Sequence, residues 1–107
     1  MIQFQSKRVI GKGLEYHKYD SEYYGISIAY MDGKLFGADT SCKKSLFPNI
    51  SIEIENDSCS ISMSYDGIMI HDEEREGFLE GYNSAVRFID EELKPFMDGI
   101  ISGKATQ

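Results

Sequence analysis

Few residues in this chain could do chemistry: two histidines, two cysteines and 18 carboxylates. His17 and His71 are far apart, and neither sits in an H-x-x-x-H or H-E-x-x-H pattern that would aim ligands at a metal from one helix face. Cys42 as a nucleophile needs a histidine base that its neighbours do not supply, and Cys59 falls on the apolar side of a predicted strand. Gly11-Lys12-Gly13 is too short to cradle a phosphate. Asp66-Gly67 lacks oxygen ligands at the offsets of a calcium loop. No catalytic, metal-binding or cofactor-binding residue is therefore assigned, and the carboxylates remain as binding groups.

Their distribution is uneven. Nine acids lie between Asp72 and Asp98, against Arg75, Arg87 and Lys94, whereas Lys7, Arg8, Lys12 and Lys18 outnumber the acids of the first twenty residues. Acids in a first helical turn are favoured by the helix dipole, so a solvated helix face accounts for some of them. Nine exceed what capping requires, and like charges at this density repel unless a cation or basic partner relieves them. Glu73, Glu74, Glu76 and Glu80 are thus candidate partner-binding residues.

Two further groups could make contact. Glu53 and Glu55 flank a row of serines (Ser51, Ser58, Ser60, Ser62, Ser64) on what reads as a flat sheet face, which can accept a partner's surface or strand. Tyr16, Tyr19, Tyr23 and Tyr24 cluster in sequence, and tyrosine combines large contact area with a polar tip. Packing of some of these rings into the core edge is the competing reading.

The elements that must position these groups follow from periodicity. Ile50, Ile52 and Ile54 alternate with polar residues, as do Cys59, Ile61, Met63 and Tyr65 after Asn56-Asp57. If those two residues are the turn, Ile54 opposes Cys59, Ile52 opposes Ile61 and Ile50 opposes Met63, so every apolar residue shares one face. Asp66-Gly67 predicts a second turn, pairing Ile68 and Ile70 with Tyr65 and Met63 as a third strand. Asp32-Gly33 predicts a hairpin between Tyr24–Tyr30 and Lys34–Ala38, with Tyr30 opposite Leu35 and Ala29 opposite Phe36. A strand around Ile2, Phe4 and Val9 is expected, and Ser41–Pro48 reads as a loop.

After His71 the period changes. Phe78, Tyr82, Val86, Ile89, Leu93 and Phe96/Met97 recur at three and four residues, which predicts an amphipathic helix from about Glu73 to about Lys94 with Asp72 as N-cap. Pro95 should kink or end it. The expected fold is α+β: a single domain over 1–107, mainly β through 70, an acidic helical region over 72–98 and a polar tail over 102–107. About five or six antiparallel strands form hairpins and a meander, packed by one long C-terminal helix.

Charge and composition exclude several functions. A net charge of −7 argues against direct nucleic-acid or anionic-membrane binding, because phosphate binders need clustered Lys and Arg. No segment approaches the roughly 20 apolar residues of a membrane span, and the first residues lack the layout of a secretory signal. Two widely spaced cysteines read as reduced thiols of a cytoplasmic protein.

A small acidic domain with a hairpin-rich sheet, a Glu/Asp-loaded helix and no catalytic signature resembles the immunity proteins of bacterial contact-dependent growth inhibition and related polymorphic toxin systems. The resemblance is one of overall character across the chain and carries over no individual residue. It implies a non-enzymatic inhibitor that binds a cognate toxin, often a basic nuclease, and blocks its active site or substrate groove. The alternatives are a phage-type nucleic-acid mimic that occupies a host protein, a small acid–base or metal-dependent enzyme using His17 or His71, and a homo-oligomeric module pairing through a strand edge.

Overall fold

The structure, a computed structural model, describes residues 1–65 and 71–103. Six antiparallel strands run in sequence order: β1 (Gln3–Val9), β2 (Leu14–Asp20), β3 (Tyr24–Met31), β4 (Lys34–Cys42), β5 (Asn49–Glu55) and β6 (Ser58–Ser64). The first four form one sheet in the order β1-β2-β3-β4, and β5-β6 form a second. β5 lies beside β4, where the Thr40 hydroxyl donates to the Ile50 carbonyl at 2.6 Å. A helical region follows, built from a 3-10 turn (Asp72–Glu74), α1 (Arg75–Phe88), a π-helical turn (Ile89–Leu93) and α2 (Lys94–Ser102).

The β5-β6 register is the one that keeps the apolar sets together. Ile50 pairs with Met63, Ile52 with Ile61 and Ile54 with Cys59, and Asn56 takes the left-handed φ of 56° that starts the turn. The proposed third strand at Ile68 and Ile70, with its Asp66-Gly67 turn, lies outside the described residues.

In the hairpin at Asp32-Gly33, Tyr30 does oppose Leu35, but Ala29 opposes Gly37. Phe36 is the extra residue of a bulge, an irregularity that redirects a side chain without disturbing the flanking pairs. β4 also continues through Cys42, so the loop before β5 is shorter than expected.

β2 was hidden because both of its faces carry mixed side chains. Glu15, His17 and Tyr19 face one way, while Tyr16 and Lys18 face the other, so no apolar alternation marks it. Pairing with β1 and β3, rather than local pattern, makes it a strand.

The core is one cluster between the sheets and the helix. It joins Tyr19, Tyr24, Ile26, Ile28, Tyr30, Ile50 and Ile52 to Ala85, Phe88, Ile89, Leu93, Met97 and Ile100. Each fully buried aliphatic side chain contributes about 1.5–3 kcal/mol of transfer free energy, which is why the helical 3.6-residue set and the strand two-residue set must meet. The Tyr24 ring stacks on Phe88 with centroids 5.2 Å apart, and its hydroxyl donates to the Pro48 carbonyl at 2.6 Å. Gly77 and Gly81 let α1 approach the Leu46–Phe47 loop, where a Cβ at Gly81 would come within 2.5 Å of the Leu46 carbonyl oxygen.

Two expectations at the helix ends are corrected. His71, with extended φ and ψ, occupies the N-cap position instead of Asp72, and its N–H reaches the Glu74 carboxylate at 3.4 Å. Pro95 does not end the helix near Lys94. The preceding turn widens so that the Lys94 N–H donates to the Ile89 carbonyl five residues back, and helix continues to Ser102, where Gly103 closes it at a φ of 80°. A widened turn relieves the proline ring's clash and its missing donor while Leu93 and Met97 stay buried.

Candidate functional site

α1 and the π turn present their acids outward because the opposite face is committed to the core. Glu73, Glu76 and Glu80 are exposed, Glu74 is half-buried, and Glu91 is exposed further along. Spacings of three, four and seven residues put Glu73, Glu76, Glu80 and Arg87 along one side of the helix. Lys94 pairs with Asp90 at 3.2 Å, and the Met1 amine with Glu92 at 2.7 Å. Among the described residues, no cation pairs with Glu73, Glu74, Glu76, Glu80 or Glu91.

This stripe leads into a groove of about 770 Å³ between the helix, the start of the chain and the β2-β3 turn. Glu22, Glu91 and Glu92 bring three carboxylates to it, Arg87 and the Met1 amine oppose them, and Tyr23, Phe88 and Phe96 supply aromatic wall. Arg87 is partly occupied by the Ser84 hydroxyl at 3.3 Å. The Glu22 carboxylate beside Tyr23 raises that phenol above its ordinary range, with Arg87 pulling the other way. Carboxylates beside aromatic faces suit a lysine or arginine side chain, which gains charge pairing and ring contact together.

The other candidate residues are dispersed. Tyr19 is only 7% exposed, with its ring against Phe96 at 4.8 Å, so it belongs to the core. Tyr16 faces the opposite side of the sheet, and Tyr23 packs on Phe47 at 4.7 Å beside the groove. Sequence proximity therefore does not produce a tyrosine patch. Glu53 and Glu55 are exposed on the face of β5 that points away from the core, opposite Ser60 and Ser58, so they do not join the helix stripe. Glu22, a sequence neighbour of the tyrosines with no evident link to the helix acids, becomes part of the site through the β2-β3 turn.

The histidines also separate. Glu15 and His17 touch at 3.1 Å, and Lys7 adds a longer contact to Glu15 at 3.6 Å. The hydrogen bond from His17 holds the Glu15 carboxyl below its ordinary range. The His17 ring lies tilted against Tyr30 at 4.7 Å and meets the edge of Phe4, and it lines neither groove, whereas His71 lines a separate hollow with Asp72 and Arg75. Among the described residues no group of three or more His, Cys, Asp or Glu could hold a metal ion, and no helix is long and apolar enough to cross a membrane.

Compared with family models, curated proteins and solved structures, the chain matches none.

Proposed function

We propose that this chain is a non-enzymatic binding protein for a basic protein partner, acting as an immunity protein that neutralises a cognate toxin, in its simplest form a nuclease domain. The observation that carries the reading is the exposed stripe of Glu73, Glu76 and Glu80, none of which has an ion-pair partner among the described residues, leading to a groove where Glu22, Glu91 and Glu92 meet aromatic wall.

The stripe and groove divide the work. Exposed charge speeds encounter and sets salt dependence, while affinity needs a desolvated centre, which the Tyr23–Phe96 wall offers to an inserted Lys or Arg. Nuclease sites concentrate Lys, Arg and His for phosphate, so a rigid acidic surface can occupy them. Glu15 and His17 line neither groove, whereas His71 and Asp72 line a separate hollow with Arg75, Phe78 and Leu79, and that pairing is what the alternative reading of a small acid–base enzyme rests on.

The test is capture of tagged protein's partner at low and high salt, then association kinetics with wild type and a Glu76→Lys/Glu80→Lys/Glu91→Lys variant. A basic toxin domain whose activity is blocked is expected, with an association rate at least ten-fold slower for the variant and a flatter salt dependence. Unchanged rate and salt response would remove the acidic helix from the interface.

A further inference from the structure

The face of the four-stranded sheet that points away from the helix carries a second groove, of about 640 Å³. We propose that it binds an extended acidic peptide segment of another protein, one that pairs a carboxylate with a large apolar side chain. This surface is separate from the acidic stripe and of opposite character.

Its construction follows from the strand registers. Arg8, Tyr16, Ala29 and Gly37 stand in one row across β1 to β4, and Ser6, Lys18, Ser27 and Asp39 in the next. Ser27, Ala29 and Gly37 make a low floor, while Tyr16 and Lys18 rise on β2 and the bulged Phe36 lies at the far side. Outer faces of antiparallel sheets ordinarily alternate to polar residues. Here Phe36 is 63% and Ile10 48% exposed at the same groove, an apolar surface bordered by charge of the kind that marks contact sites.

Charge selects the occupant. Among the described residues neither Arg8 nor Lys18 has a carboxylate partner, and the one acid lining the groove, Asp39, accepts the Thr40 N–H at 2.9 Å. On a chain of net −7 this groove is a basic spot, so an acidic segment is repelled by the helix and drawn here. Arg8 and Lys18 against Asp39 leave the groove a net charge of +1, which matches one carboxylate and falls far short of a polyphosphate footprint.

Width selects its conformation. β2 and β4 are two strand spacings apart, roughly 9–10 Å, which admits an extended chain between their side chains but not a helix of about 10–12 Å. Beyond its two chain neighbours, no atom lies within 4 Å of a Cβ built on Gly37, and its φ is outside the left-handed region. A larger residue there would fill the groove and spare the backbone.

The experiment is selection of random seven-residue peptides displayed on phage against the intact chain, followed by fluorescence polarisation with labelled synthetic copies of the enriched sequences. Enrichment of Asp or Glu together with an aromatic or long aliphatic residue is expected. Affinity should fall at least ten-fold with Gly37→Leu and with Lys18→Glu, and stay within two-fold with Asp57→Asn on the exposed β5-β6 turn. Lys18→Glu keeps the test decisive if Gly37→Leu fails to fold. No enrichment, enrichment of basic or neutral peptides, or indifference to both groove variants would overturn the proposal. So would labelled oligothymidine binding with the same variant sensitivity, which would make the face a nucleic-acid platform. Self-association of the chain abolished by Lys18→Glu would also overturn it, by making its own acidic helix the occupant.

Discussion

Tyr24 and Tyr30 lie on the same face of β3, and their hydroxyls have opposite fates. Tyr24 donates to Pro48 at 2.6 Å, and burial pushes its phenol far above the ordinary range. The Tyr30 hydroxyl is buried with no partner among the described residues, and burial pushes it up to about 12. Removing a satisfied donor strands a buried carbonyl, whereas removing an orphan relieves a desolvation cost. Tyr24→Phe should therefore cost about 1–3 kcal/mol, and Tyr30→Phe should be neutral or stabilising, as read by urea unfolding. Equal losses for the two variants would refute this reading of the core. A second residue-scale contrast concerns the helix glycines. Gly81→Ala drives a Cβ toward the Leu46 backbone and should destabilise by about 1–3 kcal/mol. Gly77→Ala meets only the movable end of the Leu46 side chain, so the gain in helix propensity, at most about 1 kcal/mol, should offset most of its strain.

At the scale of elements, the π turn ahead of Pro95 and the Glu15–His17 pair on β2 each make a measurable contribution. Pro95→Ala restores a donor and removes the ring, so it should stabilise the chain by about 1–2 kcal/mol and leave helicity unchanged or higher by circular dichroism. A loss of stability would mean that the widened turn is set by core packing and not by the proline. The Glu15 carboxyl is held below its ordinary range by its hydrogen bond with His17. A depressed folded value stabilises above the unfolded value, and that stabilisation disappears as pH falls through the folded one. Wild type should thus lose its advantage over Glu15→Gln on acidification below the ordinary carboxylate range, and the pH-dependent difference should shrink in His17→Ala. Thermal unfolding of the three proteins between pH 7 and 3 checks the sign.

For the whole molecule, the net charge of −7 falls mostly on one region, since nine acids and three bases lie between Asp72 and Asp98, and self-repulsion there costs stability. Glu76 and Glu80 are one helical turn apart and both exposed, an arrangement that costs about 0.2–0.5 kcal/mol per like-charged pair. Raising salt from 50 to 500 mM should therefore raise the melting temperature of the isolated chain, and Glu80→Lys should reduce that increase. The same changes should slow capture of a basic partner, so stability and association rate would move in opposite directions. Parallel changes would separate the acidic helix from binding.

Local pattern determined the α+β class, the β5-β6 register, the Asp32-Gly33 and Asn56-Asp57 turns and the amphipathic helix, because period two, period 3.6 and left-handed turn residues act over a few neighbours. It also located the acidic stripe, since a charged helix face follows directly from which face is apolar. The tertiary structure alone decided the rest. β2 carries no apolar alternation and exists by pairing on both sides, and the Phe36 bulge reflects a ladder that must accommodate β3 as well as the turn. The helix passed Pro95 because the pull of Met97 and Ile100 into the core outweighed the cost of a widened turn. The tyrosines were divided among a core, a groove wall and an outer face, since Tyr16 and Tyr19 point to opposite sides of β2 while Tyr23 sits in the turn after it. Both grooves join residues distant in the chain, and only packing brings Glu22 to Glu91 or Arg8 to Phe36.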